Sequence, residues 1–94
     1  MKVQVYSLRD NVAEAFFTPV YQPNDNAAKR QFVATVKAEH EGRSSEVGKN
    51  PGDFTLFHVG TWDDSLGVME SCGEPRRIMT GLEAELEYKK TIQE

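Results

Sequence analysis

Cysteine occurs once in the 94 residues, at Cys72. A lone thiol makes no intrachain bridge, so stability must come from packing, and a reducing cytoplasm is the expected setting. No run of about 18 apolar residues is present, which excludes a membrane-spanning helix. The start, Met1-Lys2-Val3-Gln4-Val5-Tyr6, has no signal-peptide apolar stretch and is expected to enter the fold directly. Asn-x-Ser/Thr is absent as well. Nor is there a cationic excess: 11 Lys and Arg stand against 15 Asp and Glu, a formal net charge of −4 with a pI near 5.2. That balance argues against a protein that coats nucleic acid without specificity. The length allows one domain with a modest core and excludes architectures of about 200 residues or more, such as the TIM barrel.

What is present reads as a folded, polar domain. Hydrophobic residues make up 38%, and five Phe, three Tyr and one Trp are too many aromatics for a disordered polar chain. Lys2 to Leu8 alternates, with Val3 and Val5 against Gln4 and Tyr6, and predicts a strand. Ala13 to Tyr21 predicts a second, at an edge or bulged because Pro19 cannot donate to a ladder. The polar turn Arg9-Asp10-Asn11 makes the pair an antiparallel hairpin. Pro23-Asn24-Asp25-Asn26 marks a helix start, capped by Asn24 or Asp25 and running to about His40. Ala28, Phe32 and Val36 stack at four-residue spacing with Val33 beside them. Arg30 and Lys37 are nearly eclipsed at the flank of that stripe, and Lys29 must snorkel.

Residues 41–53 predict a loop, from Gly42, Ser44, Ser45, Gly48, Asn50, Pro51 and Gly52. Phe54–Trp62 and Leu66–Cys72 predict a second hairpin around Asp63-Asp64-Ser65. From Leu82 to Lys89 the apolar residues alternate like a strand, while the composition favours a helix with Glu85 and Lys89 at the supportive i,i+4 spacing. The expected fold is α+β: a single domain over residues 1–81 in β-β-α-β-β order, a mainly antiparallel sheet with one packed helix, and a helical or flexible tail over 82–94.

Catalysis finds no constellation here. His40, His58 and Cys72 stand too far apart for zinc-type spacing, and Cys72 is expected as a buried structural thiol. Gly48-Lys49-Asn50-Pro51-Gly52 departs from a phosphate loop, since Asn-Pro follows the lysine and a strand comes next. Asp63 and Asp64 solvate a turn. Neither enzyme activity, a metal nor a cofactor is expected. The charge, however, is uneven. Residues 1–37 carry five basic and three acidic side chains, for +2; the remainder carries six and twelve, for −6. Lys2, Arg9, Lys29, Arg30 and Lys37 are therefore the candidate nucleic-acid contacts, with Tyr6, Phe16, Phe17 and Tyr21 as stacking faces or as core. Arg76-Arg77 is a smaller basic spot. Open strand edges in so small a domain predict a homodimer by strand addition.

Several stretches are similar to one known family. They are Lys2-Val3-Gln4-Val5-Tyr6-Ser7-Leu8-Arg9-Asp10, Ala13-Glu14-Ala15-Phe16-Phe17-Thr18-Pro19-Val20, and the Asp25…Ala28…Arg30…Phe32 helix. The most specific is Asn50-Pro51-Gly52-Asp53-Phe54-Thr55-Leu56-Phe57-His58-Val59-Gly60-Thr61-Trp62-Asp63-Asp64, followed by Leu66-Gly67-Val68. Through about residue 70 the chain resembles the small nonstructural protein of the gokushoviruses, Microviridae bacteriophages with circular single-stranded DNA genomes. The resemblance implies a protein of the infected bacterial cytoplasm, absent from the finished capsid. It further implies a role in the switch from duplex replication to single-stranded genome synthesis and packaging, by binding single-stranded DNA. The alternative is a dimeric interaction module that recruits a phage or host replication or assembly protein through its acidic C-terminal part.

Overall fold

Two long hydrogen-bonded strand pairings organise the chain. The computed structural model describes residues 1–40 and 46–92. Strand β1 (Lys2–Asp10) runs antiparallel to β4 (Phe54–Asp63), which pairs in turn with β5 (Val68–Thr80). On its other side β1 meets two short strands, β2 (Ala15–Phe16) and β3 (Val20–Gln22), both antiparallel. The single strand expected over 13–21 is thus split in two around Thr18-Pro19, where a residue without an amide hydrogen interrupts the ladder. Helix α1 (Asp25–His40) follows, then a four-residue helix α2 (Glu46–Lys49) and a 3-10 turn over Pro51–Asp53, and after β5 the helix α3 (Gly81–Ile92). The loop expected over 41–53 is therefore helical in its second half; its first part, with Gly42, Ser44 and Ser45, lies outside the described residues. The fold is α+β, with both long helices on one face of an antiparallel sheet. Among the described residues no helix is long and apolar enough to cross a membrane.

Alternation sends Tyr6, Leu8, Phe54, Leu56 and Met79 toward the helices. They pack there with Ala28, Phe32 and Val36 of α1, Val47 of α2 and Ala84 of α3. The expected stripe on α1 is the one that is buried. Asn24 is its cap, accepting the Ala27 amide at 2.9 Å. The segment from Leu82 expected as a helical or flexible tail is helical and packed, because Ala84 is fully buried in this core. Thr80 caps that helix: its hydroxyl accepts the Glu83 amide at 3.1 Å and donates back to the Glu83 carboxylate at 3.2 Å.

Strand β5 is longer than the expected Leu66–Cys72, and its first ten residues are all exposed. Residues Cys72–Pro75 stand opposite Val59 alone, a wide bulge with Gly73 at φ +88. Cys72, expected to be buried, is exposed there. The bulge turns its side chain out of the ladder, with Sγ near the carbonyls of His58 and Glu74.

A polar cluster ties α1 to the sheet. The buried Tyr6 hydroxyl donates to Asp25 at 2.6 Å, and Arg76 donates to both Asp25 oxygens at 3.1 and 3.2 Å. Burial, then the Asp25 hydrogen bond, holds the Tyr6 phenol well above its usual range. The bond from Tyr6, helped by Arg76 and opposed by partial burial, holds the Asp25 carboxyl below its usual range. A carboxyl with a depressed folded-state pKa stabilises above its unfolded pKa of about 3.9, and that contribution is lost as pH falls toward the folded value. Tyr6→Phe is accordingly expected to lose about 1 kcal/mol at neutral pH. Below about pH 4 its deficit against the parent should shrink, since both proteins then lose the Asp25 charge. Urea denaturation at a series of pH values checks this, and a deficit that stays constant into acid would contradict it.

Candidate nucleic-acid interface

The five basic residues singled out in the sequence do not form one patch. Lys2 lies on the helix-bearing side of the sheet beside Glu70, 3.8 Å away. Arg9 stands at the far end of β1, about 23 Å along an extended strand. It pairs with Phe16 on one side and Thr55 on the other, and its guanidinium donates to Asn11 at 2.9 Å. Lys29, Arg30 and Lys37 do come together, on one wall of a groove between α1 and α3 of about 630 Å³. Met79 and Val33 form its apolar floor, with Glu87 and Tyr88 on the α3 wall. Among the described residues neither Lys29 nor Arg30 has an ion-pair partner.

The expected aromatic platform is also rearranged. Tyr6 is core, and Phe17 turns toward the helices, with its ring 5.8 Å from that of Phe54. Phe16 and Tyr21 remain exposed on the other face. There Phe16 meets Phe57 edge-on at 5.5 Å, and Trp62 joins them through its pairing with Val3. Phe57 and Trp62 are five apart, so strict alternation would place them on opposite faces. A bulge at Val59, between the His58–Tyr6 and Gly60–Val5 pairs, shifts the parity and brings them to the same face. Val5, between Tyr21 and Gly60 in the ladder, is buried beneath this surface.

At the paired positions of this face the charge is of one sign. By register its charged positions are Arg9 and Arg77, while Asp10, Asp63 and Glu70 fall at positions facing the helical side. Arg77 also pairs with Glu83 at 3.1 Å. The other half of the basic spot, Arg76, is held by Asp25 on the helical side. The face therefore offers four rings and two guanidinium groups without a carboxylate at a paired position, in a chain of net charge −4. Phe57, Trp62 and Tyr88 were the residues that the sequence pattern alone did not single out.

A family model described as phage ORF5 protein matches residues 3–84. No curated protein and no solved structure matches the chain.

Proposed function

The chain belongs to the phage ORF5 protein family, and from that premise we propose that it acts in phage DNA replication by holding single-stranded DNA on the open face of its sheet. The setting is the infected bacterial cytoplasm of a gokushovirus-type phage, at the switch from duplex to single-stranded genome synthesis and packaging. The observation that carries the reading is the row of Phe16, Tyr21, Phe57 and Trp62, flanked by Arg9 and Arg77 and free of carboxylates at its paired positions. Bases stack on such rings whatever their sequence, and guanidinium groups meet the backbone phosphates. The guanidinium groups of Arg9 and Arg77 supply locally the positive charge that general coating proteins draw from a whole-chain excess.

Trp62 is the single tryptophan, so its fluorescence reports the face directly. Titration with oligothymidylate is expected to quench it, with affinity falling as salt rises. Phe57→Ala is expected to weaken binding by about 1–3 kcal/mol, roughly 5- to 150-fold. Arg9→Gln is expected to reduce the salt slope by about 0.7, the value for one single-strand phosphate contact. Absence of binding at low salt, or equal affinity of the Phe57→Ala protein, would end this reading.

One observation favours a second reading, an interaction module working as a dimer. Leu66, Val68 and Met69 are exposed at the end of the β4–β5 hairpin, and most of the acidic residues lie in the same C-terminal part. Retention of a replication initiator or procapsid protein after nuclease treatment, by a chain that binds no oligonucleotide, would favour it over the first.

A further inference from the structure

We infer that the groove between α1 and α3 is a second strand-binding site, so that one molecule bridges two separate segments of single-stranded DNA. The inference rests on the open sheet face being the first site. The two surfaces cannot serve the same few nucleotides. Helices α1 and α3 cover one side of the sheet, and the groove opens on that helical side with the core residue Met79 in its floor. The rings of Phe16, Phe57 and Trp62 lie on the opposite side. The molecule measures 20 Å across even in its shortest dimension, so a strand reaching both surfaces must travel around an edge.

The groove has the chemistry of a strand site. Lys29 and Lys37 are eight residues apart on one helix, a rise of about 12 Å, with Arg30 between them on the same wall. That spread suits several phosphates in succession better than a single one. The Tyr88 ring across the groove offers a base a stacking surface, as Val33 and Met79 offer its edges an apolar bed. Among the described residues of the lining, Glu87 is the one carboxylate, 3.8 Å from Lys90, beside the three cations Lys29, Arg30 and Lys37. In a chain with more carboxylates than cations, Lys29 and Arg30 standing side by side with no ion-pair partner among the described residues favours an anionic ligand from outside.

The test uses the full chain and oligothymidylates too short to pass around an edge. One oligonucleotide is immobilised and a second carries a dye. The expected result is two oligonucleotides per chain and protein-dependent capture of the dye. The double variant K29E/R30E is expected to bind one, to lose capture, and to keep the quenching of Trp62. Both positions lie on the outer side of α1, and circular dichroism verifies that the variant folds. One oligonucleotide per chain in the parent, or capture that survives in the double variant, overturns the inference; a dimer joining two sheet faces would then be the bridge. An acidic peptide such as polyglutamate filling the groove while oligothymidylate leaves it empty overturns it too. Failure of the sheet reading has a different signature: Phe57→Ala then binds as the parent does, and only the groove variant changes.

Discussion

Phe32→Ala is expected to lower stability by about 3–5 kcal/mol, the range for removing a buried phenyl ring from a core that only partly collapses around the cavity. A domain of this length has a total of roughly 5–14 kcal/mol, so the loss consumes a large share of it. Phe32 is 3% exposed and stands at the centre of the buried stripe on α1, between Ala28 and Val36. Tyr6, Leu56 and Met79 of the sheet and Ala84 of α3 belong to the same cluster. Among the described residues the far face shares little of the load: Val5 is buried there, but Phe16 and Tyr21 stay exposed. The melting temperature should fall by at least about 12 °C, given 4–8 °C per kcal/mol at this size. Phe32→Leu keeps most of the apolar burial and should fall much less. Calorimetry of the two variants decides the matter, and a Phe32→Ala protein melting within a few degrees of the parent would contradict the packing described.

Gly81→Ala is the second large effect, and its sign opposes simple helix propensity. Alanine in place of glycine in a helix ordinarily gains up to about 1 kcal/mol. Gly81 is the first residue of α3, and a Cβ there would overlap the carbonyl oxygen of Pro51 and come within 3.0 Å of its Cα. Pro51 cannot yield readily. Its oxygen accepts the Phe54 amide, and the Asp53 amide closes the same turn onto Asn50 at 2.9 Å. The start of α3 must move instead, which disturbs the Thr80 cap and draws Ala84 away from the core. A loss of about 2–3 kcal/mol is expected. Gly52→Ala is the control, since a Cβ there makes ordinary contact with the Leu82 side chain at 3.6 Å or more. Urea denaturation of both variants tests the contact, and a Gly81→Ala protein as stable as the parent would refute it.

The parts of this fold that local rules govern were readable in advance. The α1 stripe of Ala28, Phe32 and Val36, the Asn24 cap and the alternation of β1 each follow from a period or a cap within a few residues. The end of the chain was ambiguous because Leu82, Ala84, Leu86 and Tyr88 fit a strand period as well as a helix composition. The decisive local signal was Thr80-Gly81-Leu82-Glu83, a capping box that fixes a helix start. The site was less legible for a different reason. Bulges at Val59 and over Cys72–Pro75 are choices made between strands, and they alter which side chains share a face; only the second carries a local mark, in Gly73 and Pro75. The groove likewise depends on α3 returning across α1, a long-range contact that gives Lys29, Arg30 and Lys37 an opposite wall.

The bulge over Cys72–Pro75 has a consequence for life at high concentration. β5 ends the sheet, so its outer backbone groups stand unpaired and open to any passing strand. With Gly73 in the left-handed region and Pro75 lacking an amide hydrogen, that border is cut into Val68–Ser71 and Arg76–Thr80. Fibrillar stacking draws on uninterrupted segments of about six or seven residues. Neither piece is that long. An irregularity that looks like a flaw in the longest strand thus leaves the border without an uninterrupted segment of the length such stacking draws on.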